Sequence, residues 1–367
     1  MILVTIVLVA IIVVFALIYL QQPQFGKTPS GERLERIQKS PNYKNGKFQN
    51  LHKFSMMPEG FTMGGEIWRT FFGDNPRKFP TDSIPSMKTD LKILPIDQNF
   101  LVWFGHSSYF LQLNGKKILV DPVLMGSASP LPFGVKSFKG TERYTAEDFP
   151  EIDFVLISHD HFDHLDYKTI KALQPKIKQV ICGLGVGETL ENWGFSAEQI
   201  IESDWNETAI SIADFKINTA TAQHGSGRLK NANKTLWMSY IIEIPTYRIY
   251  VGGDSGYNTH FAEIGKKYGS FDLAILDNGQ YSQDWHSSIH MSPKFALNAT
   301  KDLRAKRLFP VHSSKFVLAK HTWDEPLVKI AQLSKESKTP LLMPMIGELV
   351  RLSDSTQVFK EWWKGVN

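Results

Sequence analysis

Cysteine is almost missing from this chain: Cys182 is the only one in 367 residues. An intramolecular disulfide is therefore excluded, and in the run Val180–Gly183 the residue reads as a small core side chain. A bias of charge is missing too. Lysine and arginine total 41 against 37 acidic residues, a formal net charge of +4. So even a balance argues against the basic surface that nucleic acid requires, and no nucleic-acid partner is expected. Internal repeats and low-complexity tracts are also absent, which argues against a solenoid or a disordered array.

The N-terminus lacks what an exported protein usually carries. No lysine or arginine precedes Lys27, and no cysteine lies nearby for a lipid attachment. Residues Ile2 to Leu20 form a run of 19 without a charge, long enough to span a bilayer as a helix. A cleaved signal peptide is the competing reading. It usually has a basic start and a small-x-small cleavage site, whereas Gln21-Gln-Pro-Gln24 follows this run. A retained anchor over 1–22 is the expectation. Lys27, Arg33, Arg36 and Lys39 flank it, and the positive-inside rule places that side in the cytoplasm. The expected location is the cell membrane, single-pass, with the domain that follows in the cytoplasm.

Residues 23–95 read as a polar lead with interspersed aromatics. Asn42–Asn50 and Phe71–Asp74 look like ordered surface rather than a solvated tether. A domain of about 260 residues over 96–352 follows, a plausible size for one folded unit, and 353–367 is left as a C-terminal tail. The β pattern begins with Asn99–Phe104, Tyr109–Leu113 and Lys117–Val120, with Asn114-Gly115 as a hairpin turn.

The densest chemistry lies in Phe154-Val-Leu-Ile-Ser-His-Asp-His-Phe-Asp-His-Leu-Asp-Tyr167. An apolar run that reads as a buried strand leads into His159, His161, Asp163 and His164. Imidazole and carboxylate are ligands for a borderline divalent ion such as zinc. In an extended segment His159 and His161 point the same way and can hold one metal. Asp163 and His164 follow where the chain turns and can face a second. Asp166 is placed to cap a helix from Tyr167. Three further runs end on single ligand types: Phe215–His224, Arg248–Asp254 and Leu308–His312. Gly252 and Gly253 before Asp254 allow a close backbone approach.

A strand, then HxHxDH, then a helix resembles the metallo-β-lactamase superfamily. The resemblance implies an α/β fold, an αββα sandwich with a binuclear metal site at one edge of its two sheets. It implies His159, His161 and His224 on one metal, Asp163, His164 and His312 on the other, and Asp254 bridging both. His106 and Asp121 fall where groups behind the ligands are expected. Two zinc ions are expected rather than iron, because a flavodiiron-type oxidoreductase has a carboxylate at the place of His161. Ala222–Arg228, Gly252–Tyr257, Phe261–Ala274, Ile289–Pro293 and Phe309–Phe316 are similar to the N-acylphosphatidylethanolamine phospholipase D branch, over roughly residues 95–350. Gly225, Ser313, Ser314 and the loop 277–285 depart from that branch at pocket positions.

The resemblance implies a membrane-tethered dizinc phosphodiesterase of phospholipase D type, acting on a phospholipid or another small ester. Asp163, Asp254 and His290 are the catalytic candidates, His290 for orienting substrate or delivering a proton to the leaving group. A structural contact at the start of the helix from Pro293 is the competing reading of His290. His260, His286 and His321 carry no motif support. A metal-dependent lactonase or other cyclic ester or amide hydrolase is the alternative function. A metal-binding scaffold without catalysis is the third.

Overall fold

A computed structural model describes residues 2–53, 62, 65, 68, 77–131, 134–229, 231–282 and 288–367. The stretch Phe71–Asp74, His286 and the end of the loop 277–285 lie outside the described residues.

After a helix over Ile2–Tyr19 and a second over Gly31–Gln38, a short hairpin pairs β1 (Tyr43–Lys44) with β2 (Lys47–Phe48). The domain then opens with β3 (Phe100–Trp103), β4 (Tyr109–Leu113), β5 (Lys116–Val120) and β6 (Ile152–Ile157). The β4–β5 turn is Asn114-Gly115, both with positive φ (48° and 75°), the backbone that favours Asn-Gly in two-residue hairpins. Helices Tyr167–Leu173 and Val186–Asn192 alternate with β7 (Ile177–Gly183) and β8 (Ile200–Ser203). These strands join β15 (Leu349–Arg351) in a seven-stranded sheet of order β15-β3-β4-β5-β6-β7-β8.

The second sheet has six strands. It is built from β9 (Thr208–Ile212), β10 (Phe215–Ala220), β11 (Ser239–Ile244), β12 (Tyr247–Val251), β13 (Leu273–Asp277) and β14 (Leu308–Val311), in reversed spatial order. Both sheets are mixed. Antiparallel meanders pass into parallel strands at β5–β6 and β12–β13; a long loop with one 3-10 turn at Ala146–Asp148 makes the first crossover and the His260–Tyr268 helix the second.

Alternating residues of the two sheets meet in one core. Phe154 stacks on Phe215 at 5.7 Å, and Trp103 meets Phe309 edge-on at 6.0 Å. Such aromatic pairs contribute about 0.5–1.5 kcal/mol each beyond the area they bury. A second cluster lies on the outer face of the first sheet, where Ile170, Leu173, Val186 and Leu190 of its two helices pack on Val155 and Val180. Phe261, Ala296 and Leu327, from helices His260–Tyr268, Pro293–Asp302 and Glu325–Ser337, cover the outer face of the second sheet. The result is the expected αββα sandwich.

The lead and the tail are parts of this core. Phe25, Ile37 and Phe48 of the lead are buried, as are Trp362 and Trp363 of the 353–367 stretch. Arg33 ties the lead to the domain through Glu188, Glu191 and Glu202 at 2.8–3.1 Å. In contrast, the Ile2–Tyr19 helix has no buried residue. Among the described residues it is the one helix long and apolar enough to cross a membrane.

Candidate metal centre

The HxHxDH loop leaves β6 at the edge of both sheets. Three contacts hold its entry. The Tyr240 hydroxyl donates to the Ile157 and Ile181 carbonyls at 2.6 and 3.1 Å, and Met238 N–H donates to the Ser158 carbonyl at 2.9 Å. Its exit is the Tyr167–Leu173 helix, whose first turn Asp166 caps by accepting from Thr169 N at 2.8 Å. A capping oxygen satisfies an N–H that the helix leaves unpaired. The other ligand types sit where strands of the second sheet end: His224 after β10, Asp254 after β12 and His312 after β14. Gly253 holds φ at 60°, and a Cβ there would lie 2.6 Å from Ser158 Cβ. Only glycine lets Asp254 come this close to the loop.

All seven sequence-predicted ligands converge. His159, His161 and His224 form one cluster, with His161 Nδ1 2.8 Å from His159 Nε2 and 3.3 Å from His224 Nε2. His106, Asp163, His164 and His312 form a second. Asp254 lies between the two. Its Oδ2 is 3.9 Å from His159, 3.7 Å from His224 and 3.1 Å from His164, while Oδ1 is 3.1 Å from His312 Nδ1.

Electrostatics set the ring protonation. Burial holds His159, His224 and His312 well below the ordinary imidazole value, so they are neutral and able to ligate. Burial also works against charge on His164, but Asp254, Asp163 and Asp121 outweigh it and raise that ring well above the ordinary value. Burial raises Asp163 and Asp254 as well, and His164 chief among their neighbours pulls both well below the carboxylate range. Among the described residues, the buried His164 Nε2 and Asp254 Oδ1 have no hydrogen-bond partner. A concentration of carboxylate charge with buried ligand atoms left unbonded fits a cation, and the donor set fits a borderline divalent metal.

Partners behind the ligands fix their orientation. Asp121 Oδ2 is 2.9 Å from His164 Nδ1, and its carboxylate also accepts from Ser158 N and Oγ. His224 Nδ1 donates to the Ile289 carbonyl at 3.0 Å. His106 Nε2 lies 3.0 Å from Asp163 Oδ2. Such contacts select which ring nitrogen faces a metal. His106, Asp121 and His312 all hold positive φ (53°, 41° and 69°), a backbone region that few non-glycine residues adopt and that Asp and His enter more readily than most.

His290 reaches the same site. Its Nδ1 is 2.8 Å from Asp277 Oδ2 and 3.8 Å from Asp254 Oδ2, and its ring stacks on His312 at 4.9 Å. Ser292 is the N-cap residue of the Pro293–Asp302 helix and makes no side-chain capping bond. Of the remaining histidines, His260 bonds Ser255 and His321 accepts from Gln280 N–H.

Two site residues escape the sequence reading. Asp277 ends β13 and holds His290; an apolar strand ending on a carboxylate, as at Asp254, was the available signal. Asn50 of the lead clasps the His224 backbone, accepting from its N–H at 3.0 Å and donating to its carbonyl at 2.6 Å. No local pattern marks it, because the two residues are far apart in the chain.

Residues 116–313 match the family described as a beta-lactamase superfamily domain. An uncharacterized protein of Mycobacterium tuberculosis is 33% identical over 336 residues, covering 89% of this chain and 88% of its own. N-acyl-phosphatidylethanolamine-hydrolyzing phospholipase D 1 of Caenorhabditis elegans is 31% identical over 277 residues, covering 70% of this chain and 76% of its own. Among solved structures, the metallo hydrolase Igni18 of Ignicoccus hospitalis shares the fold, with a TM-score of 0.53 at 22% identity over 69% of this chain and 97% of that one. The chain belongs to the beta-lactamase superfamily and is a metal-dependent hydrolase of that fold.

Proposed function

We propose that this protein is a dizinc phosphodiesterase of N-acylphosphatidylethanolamine phospholipase D type, tethered to the cell membrane by Ile2–Tyr19 with its catalytic domain in the cytoplasm. The observation that carries the reading is Asp254, whose carboxylate reaches both ligand clusters: Oδ2 faces His159 and His224 of one and His164 of the other, and Oδ1 faces His312. The likeness to the Caenorhabditis elegans phospholipase D supports the choice of substrate.

Two zinc ions, when bound, supply Lewis-acid polarisation of a phosphoryl oxygen and a water nucleophile near neutral pH. His159, His161 and His224 would hold one ion, Asp163, His164 and His312 the other, and Asp254 would serve both. Asp121 and the Ile289 carbonyl fix the rings of His164 and His224. Asp277 fixes His290 beside Asp254. As water oxygen bonds to phosphorus and the phosphorus–alcohol bond breaks, His290 gives its proton to the leaving oxygen, and the proton the water gives up restores His290.

The test uses the full chain, zinc-loaded, in mixed micelles with N-acylphosphatidylethanolamine. Phosphatidic acid and the N-acylethanolamine are followed by mass spectrometry, with metal content measured on the same sample. Release of both products with about two zinc per chain supports the reading. Turnover of lactones with no phospholipid cleavage refutes it in favour of a cyclic-ester hydrolase.

A further inference from the structure

The Ile2–Tyr19 helix ends at a cavity of about 350 Å³, and its last residue, Tyr19, is part of the wall. The Tyr19 hydroxyl donates to the Pro130 carbonyl at 2.9 Å, and its ring meets Phe25 edge-on at 5.5 Å. These contacts fix the helix end against the rim. The wall also contains Phe162, which stands between His161 and Asp163 in the chain and meets Phe25 edge-on at 6.4 Å. No member of the two ligand clusters lines the cavity, so it touches the metal loop through Phe162 without reaching a ligand.

The wall combines two characters. Met125 and Leu131 are exposed apolar side chains on it. Lys136, Lys168 and Arg228 bring positive charge. Asp166 is the one carboxylate in the wall, and Thr169 already donates to it from N and Oγ1 at 2.8 and 2.6 Å.

Arg228 is the most informative of these. It is 1% exposed. Its guanidinium donates to the Asp160 and Leu165 carbonyls, at the two ends of the metal loop, and to the Gln24 carbonyl, just past the helix. Phe162 stacks under it at 4.2 Å. All its acceptors are neutral carbonyls, and among the described residues no carboxylate lies within ion-pair distance. A buried guanidinium is ordinarily paired with an anion. Burial lowers its pKa to about 10, which leaves it charged at neutral pH.

We propose that this cavity binds the headgroup of an anionic phospholipid from the bilayer that holds the Ile2–Tyr19 helix. The lipid phosphate faces Lys136 and Lys168 over the Arg228 charge, and the first part of an acyl chain lies on Met125 and Leu131. The site is distinct from the reaction centre and rests on the membrane reading of the helix given above. Two observations commit it to a lipid. The helix end forms the wall, so the headgroup layer lies at the cavity's depth; tyrosine is a residue of that layer. The apolar rim has no use for a free phosphate. A bound lipid would brace Arg228 and Phe162 and so join the bilayer to the metal loop.

The test compares the full wild-type chain with Lys136→Glu/Lys168→Glu, both exposed positions. Each is reconstituted in phosphatidylcholine vesicles with or without phosphatidylglycerol, and retained lipid is counted by native mass spectrometry after mild detergent extraction. The wild type is expected to keep one phosphatidylglycerol per chain. The double variant is expected to keep it at least about 25-fold less, from roughly fivefold for each lysine charge lost at an anionic surface. Equal retention overturns the proposal. So does displacement by inorganic phosphate, which would mark a free-anion site. Failure of the wild type to float with neutral vesicles removes the anchor and the proposal with it. Phosphatidic acid release from detergent micelles, unchanged in the variant, reports on the phospholipase reading separately; its loss in the variant overturns the separation of the two sites.

Discussion

Replacing Asp277 with asparagine tests the site where the geometry is most specific. The carboxylate lies 2.8 Å from His290 Nδ1, wholly buried. Burial works against the charged imidazole, and Asp277, foremost among its neighbours, outweighs it, so the ring sits above its ordinary value. Asparagine keeps the shape and removes the charge. A hydrogen bond to a charged group contributes about 1.5–3 kcal/mol. If that is felt in the transition state, kcat falls about 10- to 150-fold. The sign of the pH effect follows. A ring that must hold a proton loses activity as pH rises through its pKa, and losing Asp277 lowers that pKa. The alkaline limb of the kcat/KM profile therefore moves to lower pH. The assay is a pH–rate profile on micellar substrate with zinc content measured at each point. His290→Ala alone should slow turnover while both metals stay. Asp277→Asn added to His290→Ala should cost little more, because the two act as one unit. An unmoved alkaline limb, or full additivity with metals retained, would refute the assignment of Asp277 as the residue that positions His290.

Further outcomes are expected. Asp254→Ala should lose metal and nearly all hydrolysis, because it removes the one carboxylate facing both clusters; full activity would end the two-metal reading, and elemental analysis with a turnover assay decides it. Arg33→Ala should lower stability by about 2–3 kcal/mol, since its charged hydrogen bonds reach two largely buried glutamates. Glu188 is held below its ordinary value: burial opposes this, while Lys27 and Arg33 outweigh it. Its contribution is therefore present above the unfolded glutamate value and lost as pH falls through the folded one. Urea midpoints of wild type and Arg33→Ala should converge on acidification below about pH 4.5. Protease added to intact spheroplasts should leave the catalytic domain uncut, and the N-terminus of the isolated protein should still include residues 2–20; external digestion refutes the orientation, and a later N-terminus refutes retention.

What the sequence by itself determined is local. His159, His161, Asp163 and His164 declare themselves because their spacing falls on one strand-to-helix turn. His224, Asp254 and His312 are legible as the ends of apolar runs. The Asn114-Gly115 hairpin and the Asp166 cap follow from backbone preferences of single residues. What only the tertiary structure decided joins residues with no local relation. Asp254 comes between the clusters because a second sheet packs on the first, and Gly253 permits the last approach to Ser158. Asp121 orients His164, Asn50 clasps His224 and Asp277 holds His290 across 43, 174 and 13 positions of chain. The aromatics of the lead read as ordered structure and the tail shows no pattern, but which surface either one meets is not local information. They bury Phe25, Ile37, Phe48, Trp362 and Trp363 against surface that other elements supply. Arg228 is an ordinary arginine in the sequence. Its buried charge exists only because the helix end, the metal loop and its own loop close around it, a desolvation that no linear pattern encodes.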